Sequence, residues 1–415
     1  MKVVTCGMLI DGVSEEEIND AALVIKDDSI VDIGPRDEVT IPDDATNVDH
    51  TEHTVLPGLI DAHVHLLGTS STDPMERLKD GPALKAARAT VHLQELLDAG
   101  VTTVRDMGSE VGIGLRDAVA EGTIPGPRIF TSGLRFSQTA GHGDVHSLPF
   151  DWVDGTEAPG NATLVDGVDE CRKEARKRIR ENVDLLKIMT TGGVLSEIDT
   201  PKQSHFTPDE IAALVDEAHR FGLPVGCHAS GAEGIKNALR NGVDTLEHGT
   251  YLDEEAIELL LERDVPVVTT ATPMYRFINY GPEMDLPEYA IAKAKTVNEA
   301  HLDSMQRAYD AGVDLTTGSD LMGTELLPYG ENVLEAERLV DAVGMDEMDV
   351  IKAATSVAAR CLWNDDIGAL RPGRKADFIA VDGDPLSDIS ALRNISAVYK
   401  DGIRVAPSGA RTNLP

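Results

Sequence analysis

Hydrophobic and polar positions along the chain follow two rhythms. Through the middle, short apolar runs that end in polar residues alternate with amphipathic helical stretches. The runs are Thr54–Leu66, Thr102–Asp106, Arg128–Gly133, Val183–Thr190, Leu223–Ala229, Val243–Glu247, Val265–Ala271 and Val313–Gly318. Between them lie helix-like segments such as Pro208–Phe221 and Glu233–Asn241. Ala99-Gly100, Asn241-Gly242 and Ala311-Gly312 each put a glycine where a helix C-cap favours one. Strand and helix alternating in this way predict an α/β chain folded as a (β/α)8 TIM barrel.

The two chain ends read differently. Lys2–Met8, Ala22–Lys26, Ile30–Ile33 and Asn47–Asp49 are short strand patterns before Pro57-Gly58; Ala376–Val381 and Ala397–Tyr399 are strand patterns followed by Gly-Asp-Pro and Asp401-Gly402 turns. Neither end has enough strands for its own core. The expected organisation is therefore a small composite β-sandwich domain built from residues 1–56 and 366–415, flanking a barrel over residues 57–365. Polar, Pro/Gly-rich Pro149–Gly167 predicts a long loop over the barrel mouth. Pro273–Pro287 gathers Tyr275, Arg276, Phe277 and Tyr280 in a chain with 4% aromatics, either to line a substrate pocket or to pack the loop on itself.

Composition narrows the function classes. A chain of 415 residues, 41% hydrophobic and 26% charged, can bury a sizeable core and is not disordered. The 72 Asp+Glu against 37 Lys+Arg give a net charge of −35, which argues against a nucleic-acid partner. The acids are spread along the chain, as at Glu15-Glu16-Glu17, Asp43-Asp44 and Asp253-Glu254-Glu255. A solvated surface is the plain reading; adaptation to molar salt, where screening removes the self-repulsion, accounts better for the excess. Cys6, Cys171, Cys227 and Cys361 are widely spaced, indicating neither a zinc ribbon nor a disulfide framework. The first residues reach acids too soon for a signal peptide, and no apolar run approaches the roughly 20 residues of a membrane span. A cytoplasmic protein without membrane partners is expected.

The barrel reading gives the chemistry a place, because active sites gather at the C-terminal ends of the strands. Asp61-Ala-His63-Val-His65 closes the first run, and alternation points both imidazoles to one side. His-x-His alone would also fit two surface histidines. The later runs end in Gly226-Cys227-His228, Leu246-Glu247-His248-Gly249 and Thr317-Gly318-Ser319-Asp320. Four histidines and an aspartate at strand ends suit zinc, with manganese or cobalt as alternatives. Lys187 sits in the apolar run Asp184-Leu-Leu-Lys187-Ile-Met, where an unpaired ammonium is costly. It either pairs with a barrel carboxylate or, with burial and nearby cations depressing its pKa, takes up carbon dioxide as a carbamate able to bridge two metals.

These motifs resemble the amidohydrolase superfamily, in the imidazolonepropionase-like branch that contains prolidase-type Xaa-Pro and Xaa-Arg dipeptidases. The similarity spans Leu56–His65, Gly100–Asp106, Leu186–Met189, Gly234–Asn241 leading to Glu247-His248-Gly249, Gly318–Asp320 and Pro372–Asp377. The resemblance implies a binuclear site, most simply of two zinc ions, with His63, His65 and Asp320 on one metal and His228 and His248 on the other. N-carboxylated Lys187 and a hydroxide would bridge them. It also implies substrate contacts for His142, in Gly141-His142-Gly143-Asp144, and for Tyr251, as well as a homo-oligomer. Where the branch often has a second histidine after the fifth strand, this chain has Ser230, which bears on substrate preference.

The activity implied is hydrolysis of an amide bond in a dipeptide or N-acyl amino acid, with Asp320 as general base and then general acid. Hydrolysis of a cyclic amide of the imidazolonepropionase type, a lactone or an organophosphate is the alternative. A non-catalytic scaffold is disfavoured because all six ligand positions are filled. His205, His219 and His301 are expected to face solvent, His50 and His53 precede the barrel, and His146 is not placed. Asn161-Ala-Thr163 fits a glycosylation sequon that a cytoplasmic protein would not use. No His-Glu-x-x-His, Walker loop or Gly-x-Ser-x-Gly elbow occurs.

Overall fold

The computed structural model describes residues 1–71, 73–153, 162–194, 199–284, 286 and 288–407. The strands are β1 (Lys2–Leu9), β2 (Ile18–Lys26), β3 (Ser29–Pro35), β4 (Thr46–Pro57), β5 (Leu59–Val64), β6 (Val101–Asp106), β7 (Arg128–Thr131), β8 (Arg135–Ser137), β9 (Ala162–Leu164), β10 (Leu186–Met189), β11 (Val225–Ala229), β12 (Thr245–His248), β13 (Val267–Val268), β14 (Leu315–Thr316), β15 (Phe378–Val381), β16 (Ile395–Lys400) and β17 (Ile403–Ala406).

The barrel runs β5-β6-β7 in one ladder and β10-β11-β12-β13-β14 in another, all parallel. Backbone bonds close the two seams. Asp184 N–H donates to Thr131 O at 3.0 Å on one side, and Ala62 N–H to Thr317 O at 3.1 Å with Asp320 N–H to His63 O at 2.7 Å on the other. Helices return the chain between strands. The one over Pro208–His219 starts in a capping box, Thr207 with Glu210, which fixes its first turn. Gly100, Gly242 and Gly312 follow the ends of helices at φ +81°, +87° and +88°, where a side chain would be strained.

Both chain ends enter a single seven-stranded sheet in the order β17-β16-β15-β4-β1-β2-β3. Strand alternation divides its residues. Val55, Phe378, Ala380 and Tyr399 join Val4, Leu23 and Ile25 in a core of their own, whereas Leu56, Ile379 and Val398 belong to the barrel core. The sheet thus makes one face for itself and lends the other to the barrel.

Three segments differ from the sequence reading. The first barrel run is two strands: residues up to Pro57 pair with β15, and the barrel strand begins at Leu59. Gly58 stands at the junction because a Cβ there would overlap the Thr102 side chain. The third run breaks at Gly133, φ +59°, and resumes as β8, which pairs with β10. In Pro149–Gly167, residues Phe150–Val153 form a helical turn and Ala162–Leu164 a strand on β8; residues 154–161, with Asn161 of the sequon, lie outside the described residues. No helix among the described residues is long and apolar enough to cross a membrane.

Candidate active site

The strand ends converge on a cavity of about 530 Å³. His63 comes from β5 and His65 from just past its end, Lys187 from β10, His228 from β11, His248 from β12 and Asp320 from the turn after β14; all six line it. Period-two alternation puts His63 and His65 on the same side, their ring centroids 5.2 Å apart. Asp320 Oδ1 is 3.6 Å from His63 Nε2 and 3.3 Å from His65 Nε2. These three side chains offer ligand atoms within 4.8 Å of one another, the spacing needed to hold a cation. The His248 ring lies 5.1 Å from that of His63 and 4.5 Å from that of His228.

Each imidazole is held from behind. His65 Nδ1 donates to Gly108 O at 3.1 Å, and His228 Nε2 to Gly192 O at 3.1 Å. His63 Nδ1 meets Glu247 Oε2 at 2.8 Å, and His248 Nδ1 meets Thr270 Oγ1 at 2.7 Å. One nitrogen of each ring is thereby committed and the other faces the cavity, where His65 Nε2 also has Arg135 Nη1 at 3.4 Å; this is the arrangement by which second-shell partners fix a ligand tautomer. Burial above all, with the positive charge of Lys187 adding to it, holds His63 and His248 well below the usual histidine range, and burial does the same for His228. They are held neutral, the protonation state in which an imidazole can bind a metal. Burial pulls the Asp320 carboxyl upward, but His63, His65 and Lys187 outweigh it and leave it an anion.

Lys187 is the anomaly. It is 2% exposed, and Nζ has no hydrogen-bond partner among the described residues. Burial brings its pKa down to about 8, against the pull of Glu247. An orphaned amine inside a ring of imidazoles is what a group completing a metal site leaves behind when no ion is bound, so the residues fit a divalent-metal centre.

A match to the amidohydrolase family model covers residues 54–405. The chain belongs to the amidohydrolase family. Among its relatives, ochratoxinase of Aspergillus niger is 34% identical over 413 residues, covering 95% of this chain and 84% of that protein. Imidazolonepropionase of Paracoccus denitrificans is 26% identical, covering 88% of each. The crystal structure of a Xaa-Pro dipeptidase with methionine bound in its active site superposes with a TM-score of 0.88 at 35% identity, covering 97% of this chain and 99% of that one. The protein is thus a hydrolase acting on amide C–N bonds, in the imidazolonepropionase-like, prolidase-type branch. Amidohydrolases generally use divalent metal ions, and the His63–His65–Asp320 group is the candidate seat for one here.

Around that centre the amidohydrolase cavity differs in places from what sequence suggests. His142 lines it and stacks on His228 with centroids 4.5 Å apart, its Nδ1 3.6 Å from Asp199 Oδ2. Tyr251 is not among the lining residues: Ser230 and Thr250 form that wall, and the Tyr251 ring carries the Lys202 ammonium 4.6 Å from its centroid. His205 and His301 do not face solvent; they are 4% and 2% exposed. His301 reaches the cavity from the helix Glu288–Asp310, and His146 reaches it from the loop after β8. His219 is the one of the three with substantial exposure, its Nε2 2.8 Å from Asp244 Oδ2. Of the aromatic cluster only Phe277 lines the cavity; Tyr275 and Tyr280 pack under Arg338 and Arg276.

Sequence reading also passes over Glu247 and Arg105. Glu247 is fully buried, accepts from Arg105 Nη2 at 2.7 Å and from Thr245 Oγ1 at 2.6 Å, and supports His63. Arg105 Nε donates to Ala62 O at 2.6 Å. This buried pair fastens β6 and β12 to the ligand strand β5. A charged residue inside each apolar run was the available signal.

Proposed function

We propose that this amidohydrolase holds two divalent ions, zinc in the first instance, and hydrolyses the amide bond of a dipeptide or N-acyl amino acid. His63, His65 and Asp320 would hold one ion and His228 and His248 the other, with N-carboxylated Lys187 between them. The observation that carries this reading is the buried, unpartnered Lys187 amine with its pKa near 8. When bound, such ions polarise a carbonyl and bring the pKa of a water toward neutrality.

The chain's own residues supply the proton handling. Asp320 takes the proton of the attacking water as its oxygen bonds to the amide carbon, then delivers it to the nitrogen as the C–N bond breaks. His142, stacked on His228, presents Nε2 to the carbonyl oxygen where charge develops. The dipeptidase and ochratoxinase relatives support an amide over a lactone or phosphoester.

The test is amine release from Xaa-Pro and Xaa-Arg dipeptides and N-acyl amino acids, in molar KCl with zinc and bicarbonate, with metal content measured on the same sample. Turnover of a subset with two metals per chain is expected. Two bound metals with no amide cleaved would overturn the substrate class, and one metal or none would overturn the centre.

A further inference from the structure

Two arginines in the cavity are left over by the reaction. Arg135 lies on β8, and Arg77 in the helix Pro74–Lys79 that follows β5; both line the cavity wall. Among the described residues neither makes a salt bridge, and the buried Nε of each has no hydrogen-bond partner. This runs against the composition. With 72 acids for 37 bases, an arginine elsewhere in the chain finds a carboxylate readily, as Arg105 finds Glu247 and Arg128 finds Asp377 and Asp401.

The nearby acids are already engaged. On Arg77's own helix, Asp73 caps Met75 N at 2.8 Å and Glu76 takes Lys79 at 2.5 Å. Asp106, buried under Arg135, accepts from Thr131 Oγ1 at 2.7 Å and from Leu66 N at 3.1 Å. Of the acids on the cavity wall, Asp144 accepts from Ala140 N at 2.8 Å and Asp320 belongs to the ligand group. Burial and then the nearby Arg77 act against the charge of Arg135, and Asp320 and Asp106 offset them only in part. Two half-buried guanidinium forks with no salt-bridge partner among the described residues are complementary to a planar anion.

We infer that Arg77 and Arg135 form a carboxylate-binding subsite, so that the enzyme selects amide substrates carrying a second carboxylate. The inference rests on the amide reading above. Arg135 Nη1 is 3.4 Å from His65 Nε2, so the subsite borders the reacting centre. A carboxylate a few bonds from the scissile amide reaches it: the side chain of Asp or Glu in a dipeptide, or the far end of a dicarboxylic acyl cap. A cavity of about 530 Å³ has room for either.

The experiment compares isosteric pairs at one fixed ionic strength: Glu-Pro with Gln-Pro, Ala-Glu with Ala-Gln, and an N-succinyl with an N-succinamoyl amino acid. The acidic member of at least one pair is expected to have a kcat/KM roughly 10- to 100-fold higher, the range for a charged hydrogen-bonded contact. The pair that responds tells side chain from cap. Arg135→Gln and Arg77→Gln should each collapse that ratio about tenfold, chiefly through KM, with metal content unchanged. Equal rates within every pair, or a ratio that survives both substitutions, would overturn the subsite. Should no amide be cleaved, the reaction assignment fails while the subsite is read by calorimetry with glutarate. Binding weakened about tenfold in either variant supports it, and binding that is absent or equal in all three proteins overturns it.

Discussion

Replacing Lys187 with methionine should abolish turnover and yet stabilise the metal-free protein. The amine is 2% exposed and without a hydrogen-bond partner among the described residues, and burial lowers its pKa from 10.5 to about 8. Below pH 8 both folded and unfolded chains hold the proton, and the folded state bears the full cost of a buried charge. Between pH 8 and 10.5 only the unfolded chain still binds it, so stability rises with pH across that window; above it the penalty is gone. At pH 7 the shift corresponds to about 3 kcal/mol. Methionine fills similar volume with no charge to desolvate. With an unfolding entropy of roughly 0.9 kcal/mol/K for a chain of this length, the gain is about 3–4 °C in Tm. The assay is thermal melting of wild type and Lys187→Met, stripped of metal and bicarbonate, at pH 7 and pH 10.5. A gap at pH 7 that closes at pH 10.5 is expected. A variant no more stable at pH 7, or a gap independent of pH, would refute the claim that folding holds this amine in a site hostile to its charge.

Asp320→Asn should keep most of the bound metal but lose about two to four orders of magnitude in kcat, the usual weight of a general acid–base group; near-normal turnover would dismiss that role. Glu247→Gln leaves Arg105 buried without its counter-charge and weakens the hold on His63, so stability should fall by about 3–5 kcal/mol and metal affinity 10- to 100-fold. Melting and chelator competition read the two effects separately, and an unchanged metal affinity would release Glu247 from positioning His63. At Gly193 a Cβ would overlap the His142 ring. Gly193→Ala should therefore displace that imidazole and cut kcat at least tenfold with little change in Tm, and wild-type kinetics would show that His142 has no part in the reaction.

The centre was legible in the sequence because two local rules suffice for it. Alternation sends His63 and His65 to one side of β5, and strand ends in a parallel barrel meet at one mouth, which gathers Lys187, His228, His248 and Asp320 without knowledge of any packing detail. What was not legible depends on which face of a helix or loop the rest of the chain covers. The helix Glu288–Asp310 buries Ala294, Val297, His301 and Met305 together, and only contact with the barrel distinguishes that stripe from its solvent side. Arg135 was hidden by the break at Gly133: read as one strand, the third run ends before it, whereas the resumed strand β8 carries it into the wall. The Glu247–Arg105 pair was hidden differently, since each residue looks anomalous alone and is explained only by a partner 142 positions away.

The charge distribution adds a consequence for salt. The net charge is −35, while Arg77, Arg135 and Lys187 face the cavity with no anion paired to them among the described residues. An acidic substrate must cross the field of the acidic shell before it reaches those cations. In dilute buffer that field reaches about 30 Å, whereas at molar salt the screening length is about 3 Å. The contact inside a dry cavity is screened far less than the approach. Raising KCl from 0.1 to 1 M should therefore lower KM for an acidic substrate more than for its amide isostere, widening the ratio between them. Were the anion held only by exposed surface lysines and arginines, salt would weaken binding and the ratio would shrink. A shrinking ratio would locate recognition outside the cavity.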